Sequence, residues 1–126
     1  IEEARQQADL EGFATQLTDA LTTLDEVTFS LLGKVREDVD AGMANATIYL
    51  DLFGRVLASW IWLKQAKAAS TALAADNLGE SDKNFYLGKL QANRYYFEWE
   101  LTEIEGQAKL LMSHNRTTYE MQDAWF

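Results

Sequence analysis

The residues best suited to chemistry in this chain are a single histidine and a dense run of carboxylates. His114 is the only imidazole, and Glu98, Glu100, Glu103 and Glu105 crowd one short stretch. Carboxylates at this density are typical of di-iron helical bundles, but those sites require a Glu-x-x-His step on each of two helices. No such step occurs in the sequence. We therefore predict no metal site, and we interpret His114 as a helix-end or solvent-exposed residue.

The other chemical motifs are incomplete. The stretch Asp38-x-Asp40-x-Gly42 begins like a calcium loop, but Tyr49 occupies the position of the bidentate glutamate and cannot chelate calcium. The sequence has no Gly-x-Ser-x-Gly nucleophile elbow, and its seven glycines are scattered singly instead of forming a phosphate-binding loop. We expect no catalytic, cofactor-binding or metal-binding residue in this chain.

Composition and charge narrow the class of protein. The 126 residues are 48% apolar and 12% aromatic, which fits one domain with a substantial core. The chain has 20 acidic and 11 basic residues, and a net charge of −9 argues against nucleic-acid binding. The absence of cysteine excludes disulfides and thiolate chemistry. The absence of proline is typical of long helices joined by short loops.

No targeting or membrane segment is predicted. The start of the chain lacks the basic end and apolar stretch of a signal peptide, and the lack of cysteine fits a reducing compartment, so we expect a cytoplasmic protein. The most apolar stretch, residues 48–63, is interrupted by Asp51 and Arg55 and is shorter than the ~20 residues of a membrane span. Asp51 and Arg55 are spaced to pair on one helix face. Because the chain does not begin with Met, we expect it to be excised from a longer protein.

Three long amphipathic segments must position these residues. Helices are predicted over residues 9–36, 43–75 and 83–112, separated by turns at 37–42 and 77–79 and followed by a short C-terminal helix. Each helix has apolar residues at three- and four-residue steps: Leu10, Phe13, Leu17, Leu21, Leu24, Leu31 and Val35; Tyr49, Leu52, Phe53, Val56, Trp60 and Leu63; Tyr86, Leu90, Phe97, Leu101, Ile104, Ala108 and Leu111. The predicted fold is all-α, an antiparallel bundle of three long helices plus the short one, forming a single domain over residues 1–126.

Local signals refine this prediction. The second helix has another apolar stripe, which favours a central helix with neighbours on two sides; its members are Leu50, Gly54, Leu57 and Ile61. The alanine-rich stretch 66–75 should be helical by propensity more than by packing. Gly79 is well placed for a left-handed conformation after the helix, and Ser81 or Asp82 can cap the next helix.

The third helix also has a second face. The residues on it lie within ~40° of one another, opposite the core stripe; they are Gly88, Tyr95, Trp99, Gly106 and Leu110. The two glycines each disfavour the helix by roughly 1 kcal/mol relative to alanine, which makes sense where another backbone comes close. Two explanations remain open: the C-terminal segment covers this face, or the face docks another domain or subunit.

The chain resembles the C-terminal extension domain of a subgroup of acyl-CoA dehydrogenases. The resemblance is carried by the stretch from Tyr49 to Gly54, by Trp60, by the stretch from Phe85 to Leu90, and by Arg94-Tyr95-Tyr96. It extends over nearly the whole chain, including the final segment that ends at Phe126. One departure is Leu101-Thr102, where many relatives have a proline.

The resemblance implies a role inside a larger enzyme of fatty acid metabolism. Members of this family use FAD to oxidise acyl-CoA thioesters to 2-enoyl-CoA, and the flavin and catalytic segments precede the extension. It therefore implies FAD and the acyl-CoA substrate only for the parent enzyme, with the rest of that enzyme or a second subunit as partner. The rival hypothesis is a stand-alone interaction module that dimerises through the Tyr95/Trp99 face.

Overall fold

The computed structural model describes residues 1–126 and is built only of helices and their connections. Six α-helical segments follow one another along the chain: α1 (Glu2–Arg5), α2 (Glu11–Glu37), α3 (Val39–Met43), α4 (Ala46–Leu73), α5 (Glu80–Tyr95) and α6 (Ile104–Met112). A π-helical turn, Tyr96–Glu100, and a 3₁₀ turn, Leu101–Glu103, join α5 to α6 without a break. The short C-terminal helix is a single 3₁₀ turn, Asp123–Trp125.

The three long elements pack up, down and up, which confirms the predicted all-α bundle. Cross-helix contacts give their directions: the start of α2 lies near the end of α4, where Asp9 accepts a hydrogen bond from Ser70 over 3.1 Å. Arg55 of α4 contacts Glu100, just before α6, over 2.7 Å. Because short connections force consecutive helices to reverse, this is the arrangement that the sequence spacing predicts.

The core lies along the facing stripes of these helices. Sixteen buried residues form one cluster, and the largest fully buried side chains are Phe97, Leu10, Leu17, Leu52 and Leu111. The prediction that Phe53 and Trp60 of α4 lie in the core is wrong, since they remain 42% and 43% exposed. They lie at the edge of the stripe, where α2 covers only part of each ring. The alanine-rich tail of α4 is packed as well as helical, because Ala66 and Ala69 are buried.

The connections differ locally from the predictions. The turn predicted at 37–42 is replaced by the end of α2 at Glu37 and by α3, which Asp38 caps by accepting a hydrogen bond from the Ala41 amide over 3.1 Å. Gly42 is needed for close packing, since a Cβ at this position would lie 2.7 Å from the Val35 backbone. The prediction for Gly79 is wrong: its φ of −65° is extended backbone, and it directly precedes α5.

α5, the π-helical turn, the 3₁₀ turn and α6 together form the third helix, Glu80–Met112. Local contacts explain where this helix begins and ends. The predicted cap at Ser81 or Asp82 is wrong because α5 already begins at Glu80, and no side chain caps it. At the other end His114 has a φ of +49°, so it takes the left-handed conformation that terminates a helix. Its ring is hydrogen-bonded to Ser30 over 3.0 Å, which fastens the end of the third helix to α2.

Candidate functional site

Tyr95 and Trp99 form a stacked aromatic pair on the surface of the third helix. Their ring centroids are 6.0 Å apart with an interplanar angle of 16°. Tyr95 is 50% exposed and Trp99 is 67% exposed, although side chains of this size normally bury most of their area. The C-terminal segment leaves these rings exposed, and its first residues lie at the start of α4, where the Asn45 side chain donates to the Asn115 carbonyl over 2.8 Å.

A polar network anchors this aromatic pair to the neighbouring helix. The Tyr95 hydroxyl donates to Glu100 Oε1 over 3.3 Å, and the other carboxylate oxygen, Oε2, accepts from Arg55 Nη1 over 2.7 Å. The same guanidinium nitrogen donates to the main-chain carbonyl of Glu100 over 3.0 Å. The hydrogen bonds run from α4 through Glu100 to the Tyr95 ring. The Tyr95 ring is thereby held in place within the chain itself, and Trp99 stacks on it.

The irregular winding of the third helix places these groups. In the π-helical turn the Leu101 amide donates to the Tyr96 carbonyl, five residues earlier, and the following 3₁₀ turn tightens the helix again. The wide turn and the tight turn largely offset each other in rotation. Phe97 can therefore pack in the core, 5.1 Å from the Phe13 ring between centroids, while its neighbours Tyr95 and Trp99 point outward.

Arg55 lies in a polar groove between α4 and the π-helical turn. The groove has a volume of about 450 Å³, and its walls include Leu50 and Gly54 of α4 and Tyr96 and Glu100 of the opposite helix. Because Glu100 is hydrogen-bonded to Tyr95, the aromatic pair adjoins the far wall of this Arg55 groove. Burial raises the pKa of the Tyr96 hydroxyl, so that group stays protonated at neutral pH.

Asp51 completes the predicted pairing with Arg55. Its Oδ2 accepts from Arg55 Nε over 3.1 Å, as the four-residue spacing predicts, and it also accepts from the Gln107 side chain. These hydrogen bonds, from Gln107 first and Arg55 second, hold the pKa of Asp51 below its ordinary value. Asp51 and Glu100 both contact the single guanidinium of Arg55. The charged side chains of the groove therefore form one paired network.

The outer face of α4 is the largest departure from the predicted packing. It consists of Leu50, Gly54, Leu57 and Ile61, which the sequence places against a second neighbour. No other helix covers this face, and Leu50 is 68% exposed. On its α2 side lies an apolar cleft of about 290 Å³ lined by seven apolar residues: Ile1, Leu21, Leu24, Phe53, Val56, Leu57 and Trp60. On its other side lies the polar Arg55 groove, which separates the outer face of α4 from the aromatic pair.

The high mean hydropathy of α4 results from apolar residues on both its inner, buried face and its outer, exposed face. The helix has an 18-residue window with mean hydropathy 1.2, which meets the length and composition of a membrane span, and 22% of that window is buried. A core helix with one uncovered apolar face has the same composition. Length and composition alone therefore establish no span.

The remaining candidates from the sequence are also on the surface. Gly88, Gly106 and Leu110 are exposed, and a Cβ added at either glycine would meet no atom within 4 Å. Gly88 lies at a separate cleft beside Asn93, whose side chain is fully buried and whose amide nitrogen and oxygen have no hydrogen-bond partner. Sequence reasoning missed Asn93 because a lone asparagine in a helix is ordinarily exposed. Its only signal is its position between Leu90 and Phe97 on the core stripe.

The four glutamates between residues 98 and 105 do not converge on one site. Glu98 pairs with Arg94 over 2.8 Å and Glu100 with Arg55, while Glu103 and Glu105 are exposed. No three His, Asp or Glu side chains lie close enough to hold a metal ion together. The arrangement as a whole is an uncovered apolar and aromatic surface with an internally paired polar groove, a combination typical of a docking surface.

Comparison with known sequences agrees with the resemblance. No curated protein sequence matches the chain significantly. The sequence profile of the family described as "Acetyl-CoA dehydrogenase C-terminal like" matches residues 1–122. This match covers nearly all of the 126 residues and therefore includes α4, the π-helical turn and the aromatic pair. The chain belongs to the C-terminal-like domain family of the acyl-CoA dehydrogenases.

Proposed function

We propose that this chain is a single, non-catalytic helical domain of an FAD-dependent acyl-CoA dehydrogenase, and that it docks on the rest of that enzyme or on a second subunit. In this role the domain stabilises the enzyme and the contacts between its domains or subunits. The enzyme acts in fatty acid metabolism in the cytoplasm. FAD and the acyl-CoA substrate belong to the preceding part of the parent enzyme, which we call the dehydrogenase body. The observation that carries the proposal is the exposure of two large apolar or aromatic patches, the outer face of α4 and the aromatic pair, on either side of the Arg55 groove.

The residues of this chain do not fit the flavin itself. A pyrophosphate needs main-chain amides at a glycine-rich helix start or unpaired cations. The cations in the two widest clefts are already held by carboxylates, Arg55 by Asp51 and Glu100, and Arg94 by Glu98. The chemistry of the flavin, which accepts a hydride from the substrate when bound, therefore takes no step through residues of this chain.

The docking surface has the features that favour affinity. Tyrosine and tryptophan dominate the binding energy of many interfaces because they bury large, rigid surfaces. Here the Tyr95 and Trp99 rings are already stacked and anchored through Glu100 to Arg55. Gly54 and Gly106 present backbone with no side chain nearby, which allows a partner helix to approach closely. The apolar outer face of α4 supplies the remaining contact area.

The experiment compares the double variant Tyr95→Ala/Trp99→Ala with a matched control, Tyr119→Ala/Trp125→Ala, which removes the same exposed residue types from the C-terminal segment. We expect the first variant to weaken association with the dehydrogenase body at least tenfold, while the free energy of unfolding of the isolated chain changes by less than about 1 kcal/mol. The control should change neither.

Two outcomes would overturn the proposal. In the first, the isolated chain melts much earlier after the Tyr95/Trp99 substitutions, which would assign these rings to the chain's own stability. In the second, the unaltered chain fails to associate with the dehydrogenase body and instead forms a dimer that the same substitutions disrupt. That result would favour the stand-alone interaction module.

A further inference from the structure

The middle of the third helix is wound irregularly. The Leu101 amide donates to the Tyr96 carbonyl, five residues back, and the Ile104 amide donates to the Leu101 carbonyl, only three residues back. In a regular α-helix each amide donates four residues back, so these two amides would use the carbonyls of Phe97 and Glu100. Wide and tight turns inside a long helix are unusual, and they often mark functional positions.

A side chain of another helix binds the Glu100 carbonyl in this winding. Arg55 Nη1 of α4 donates to this carbonyl over 3.0 Å and to the Glu100 carboxylate over 2.7 Å. Hydrogen bonds from a charged donor are stronger than those from a neutral amide. The Arg55 side chain is only 22% exposed, so water can replace little of what the carbonyl provides. The irregular winding and the Arg55 hydrogen bond therefore stabilise each other.

The core stripe also accommodates a wide turn at this point. Asn93, Phe97 and Leu101 are buried at two successive four-residue steps. Because a regular helix has 3.6 residues per turn, each step drifts about 40° around the helix axis, and a local widening removes the drift. The core spacing therefore permits the wide turn, whereas Arg55 binds the carbonyl exposed by it. The two causes are separable, since Arg55 does not belong to this stripe.

A regular winding would change the aromatic pair and leave the ends of the third helix in place. The wide and the tight turn offset each other, so α5 and α6 would keep nearly the same directions. Between them each residue of the widened turn would rotate through a larger angle, which moves Trp99 around the axis relative to Tyr95. Glu100, which accepts from the Tyr95 hydroxyl over 3.3 Å, would lose its main-chain contact with Arg55.

We propose that Arg55 selects the irregular winding of the third helix and is thereby the positioning residue of the aromatic pair. It acts through the Glu100 carbonyl, and its ion pair with the carboxylate is a second contact. Without this guanidinium, residues 96–103 wind as a regular α-helix, and Tyr95 and Trp99 are presented differently. The consequence for docking rests on the proposed function, whereas the assignment of the winding does not.

The test measures hydrogen-bond scalar couplings by NMR, which pair each main-chain amide with its acceptor carbonyl. In the unaltered chain the Leu101 amide is expected to couple to the Tyr96 carbonyl. In Arg55→Met, which keeps an unbranched apolar stem, we expect this coupling to be lost and replaced by a coupling to the Phe97 carbonyl. Such a change of acceptor reports the winding itself, and a general loss of stability would not produce it.

Two control variants isolate the main-chain contact. Arg94→Met removes a comparable arginine–glutamate pair of the third helix, formed with Glu98 over 2.8 Å. Glu100→Gln removes the ion pair with Arg55 and keeps the main-chain carbonyl. We expect the Leu101–Tyr96 coupling to persist in both controls, because the contact of Arg55 with the carbonyl remains.

Three results would overturn the proposal. If Arg55→Met keeps the Leu101–Tyr96 coupling, the core spacing alone sets the winding. If either control loses that coupling, the contact of Arg55 with the carbonyl is not what selects it. Arg55→Gln, with the same expectation, replaces the methionine variant if that variant does not fold. If neither variant folds, Arg55 stabilises the whole chain instead of one turn, and the proposal is again wrong.

Association with the dehydrogenase body tests the consequence for docking separately. We expect Arg55→Met to weaken this association about fivefold or more, because the aromatic pair is presented differently. If the couplings change and the association does not, Arg55 does not position the interface, and its role as a positioning residue is wrong. If the unaltered chain does not associate at all, the proposed function fails, while the couplings still decide whether Arg55 selects the winding.

Discussion

The two faces of α4 have similar compositions and opposite surroundings. On the inner face Leu52 and Val56 are 0% and 2% exposed, while on the outer face Leu50 is 68% exposed. α4 contacts both α2 and the third helix, and the exposure of Leu50 shows that neither covers the outer face. Hydropathy thus identifies both faces as surfaces that favour burial, and the partner that we propose for the outer face comes from outside the bundle.

The largest expected difference in stability is between the same leucine-to-alanine substitution made on the inner and on the outer face of α4. Leu52→Ala should lower the free energy of unfolding by about 2–5 kcal/mol, because it leaves a cavity in a fully packed site. Leu50→Ala on the outer face, where the residue is 68% exposed, should change it by less than about 0.5 kcal/mol. Denaturant unfolding of both variants measures the difference. Equal losses would mean that the outer face is packed within this chain, which would break the comparison.

Gly54→Ala is expected to have a smaller effect of opposite sign. Its added Cβ would meet no atom within 4 Å, so the isolated chain should gain up to about 1 kcal/mol from the better helix former. Gly42→Ala is the contrasting control, since its Cβ would clash with the Val35 backbone and should destabilise the chain. If Gly54→Ala stabilises the isolated chain yet weakens docking, the result supports the proposal that Gly54 allows a partner helix to approach closely. A destabilised Gly54→Ala would contradict the open outer face.

The smallest expected effect is the acid dependence of the Arg55 groove. The pKa of Asp51 is lower in the folded chain than its ordinary value of 3.8, owing to hydrogen bonds from Gln107 and Arg55. Its contribution to stability is therefore present above about pH 4 and is lost as the pH falls further through the folded pKa. Asp51→Asn should lessen the fall in Tm between pH 6 and pH 3, whereas Asp76→Asn, in the connection after α4, should not. Identical acid profiles for all three proteins would contradict the assigned hydrogen bonds.

Much of the fold is predictable because buried leucines recur at helical spacing. The stripes containing Leu17, Leu52 and Leu111 place three long helices correctly, and the absence of proline leaves them uninterrupted. The short local elements are less predictable. Asp38 caps α3 through a local hydrogen bond from Ala41 where charged residues indicate a turn. His114, and not Gly79, takes the left-handed conformation, and its ring is hydrogen-bonded to the distant Ser30.

The candidate surface could be predicted only in part. Regular helical spacing identifies the five exposed residues that include Tyr95 and Trp99, although the third helix is not regular. The π-helical turn and the 3₁₀ turn offset each other, so the face survives. The exposure of Phe53 and Trp60 and the unpaired amide of Asn93 depend on how far neighbouring helices reach, which periodicity does not encode.

The most direct test of docking is hydroxyl-radical footprinting of the isolated chain and of the same chain within the assembled enzyme. We expect strong protection of Tyr95, Trp99 and Leu57 on assembly, because the proposed interface covers them. Tyr119, in the C-terminal segment, should react equally in both states and serves as the internal control. If Tyr95, Trp99 and Leu57 are as reactive in the assembled enzyme as in the isolated chain, the surface is not an interface and the central claim is contradicted.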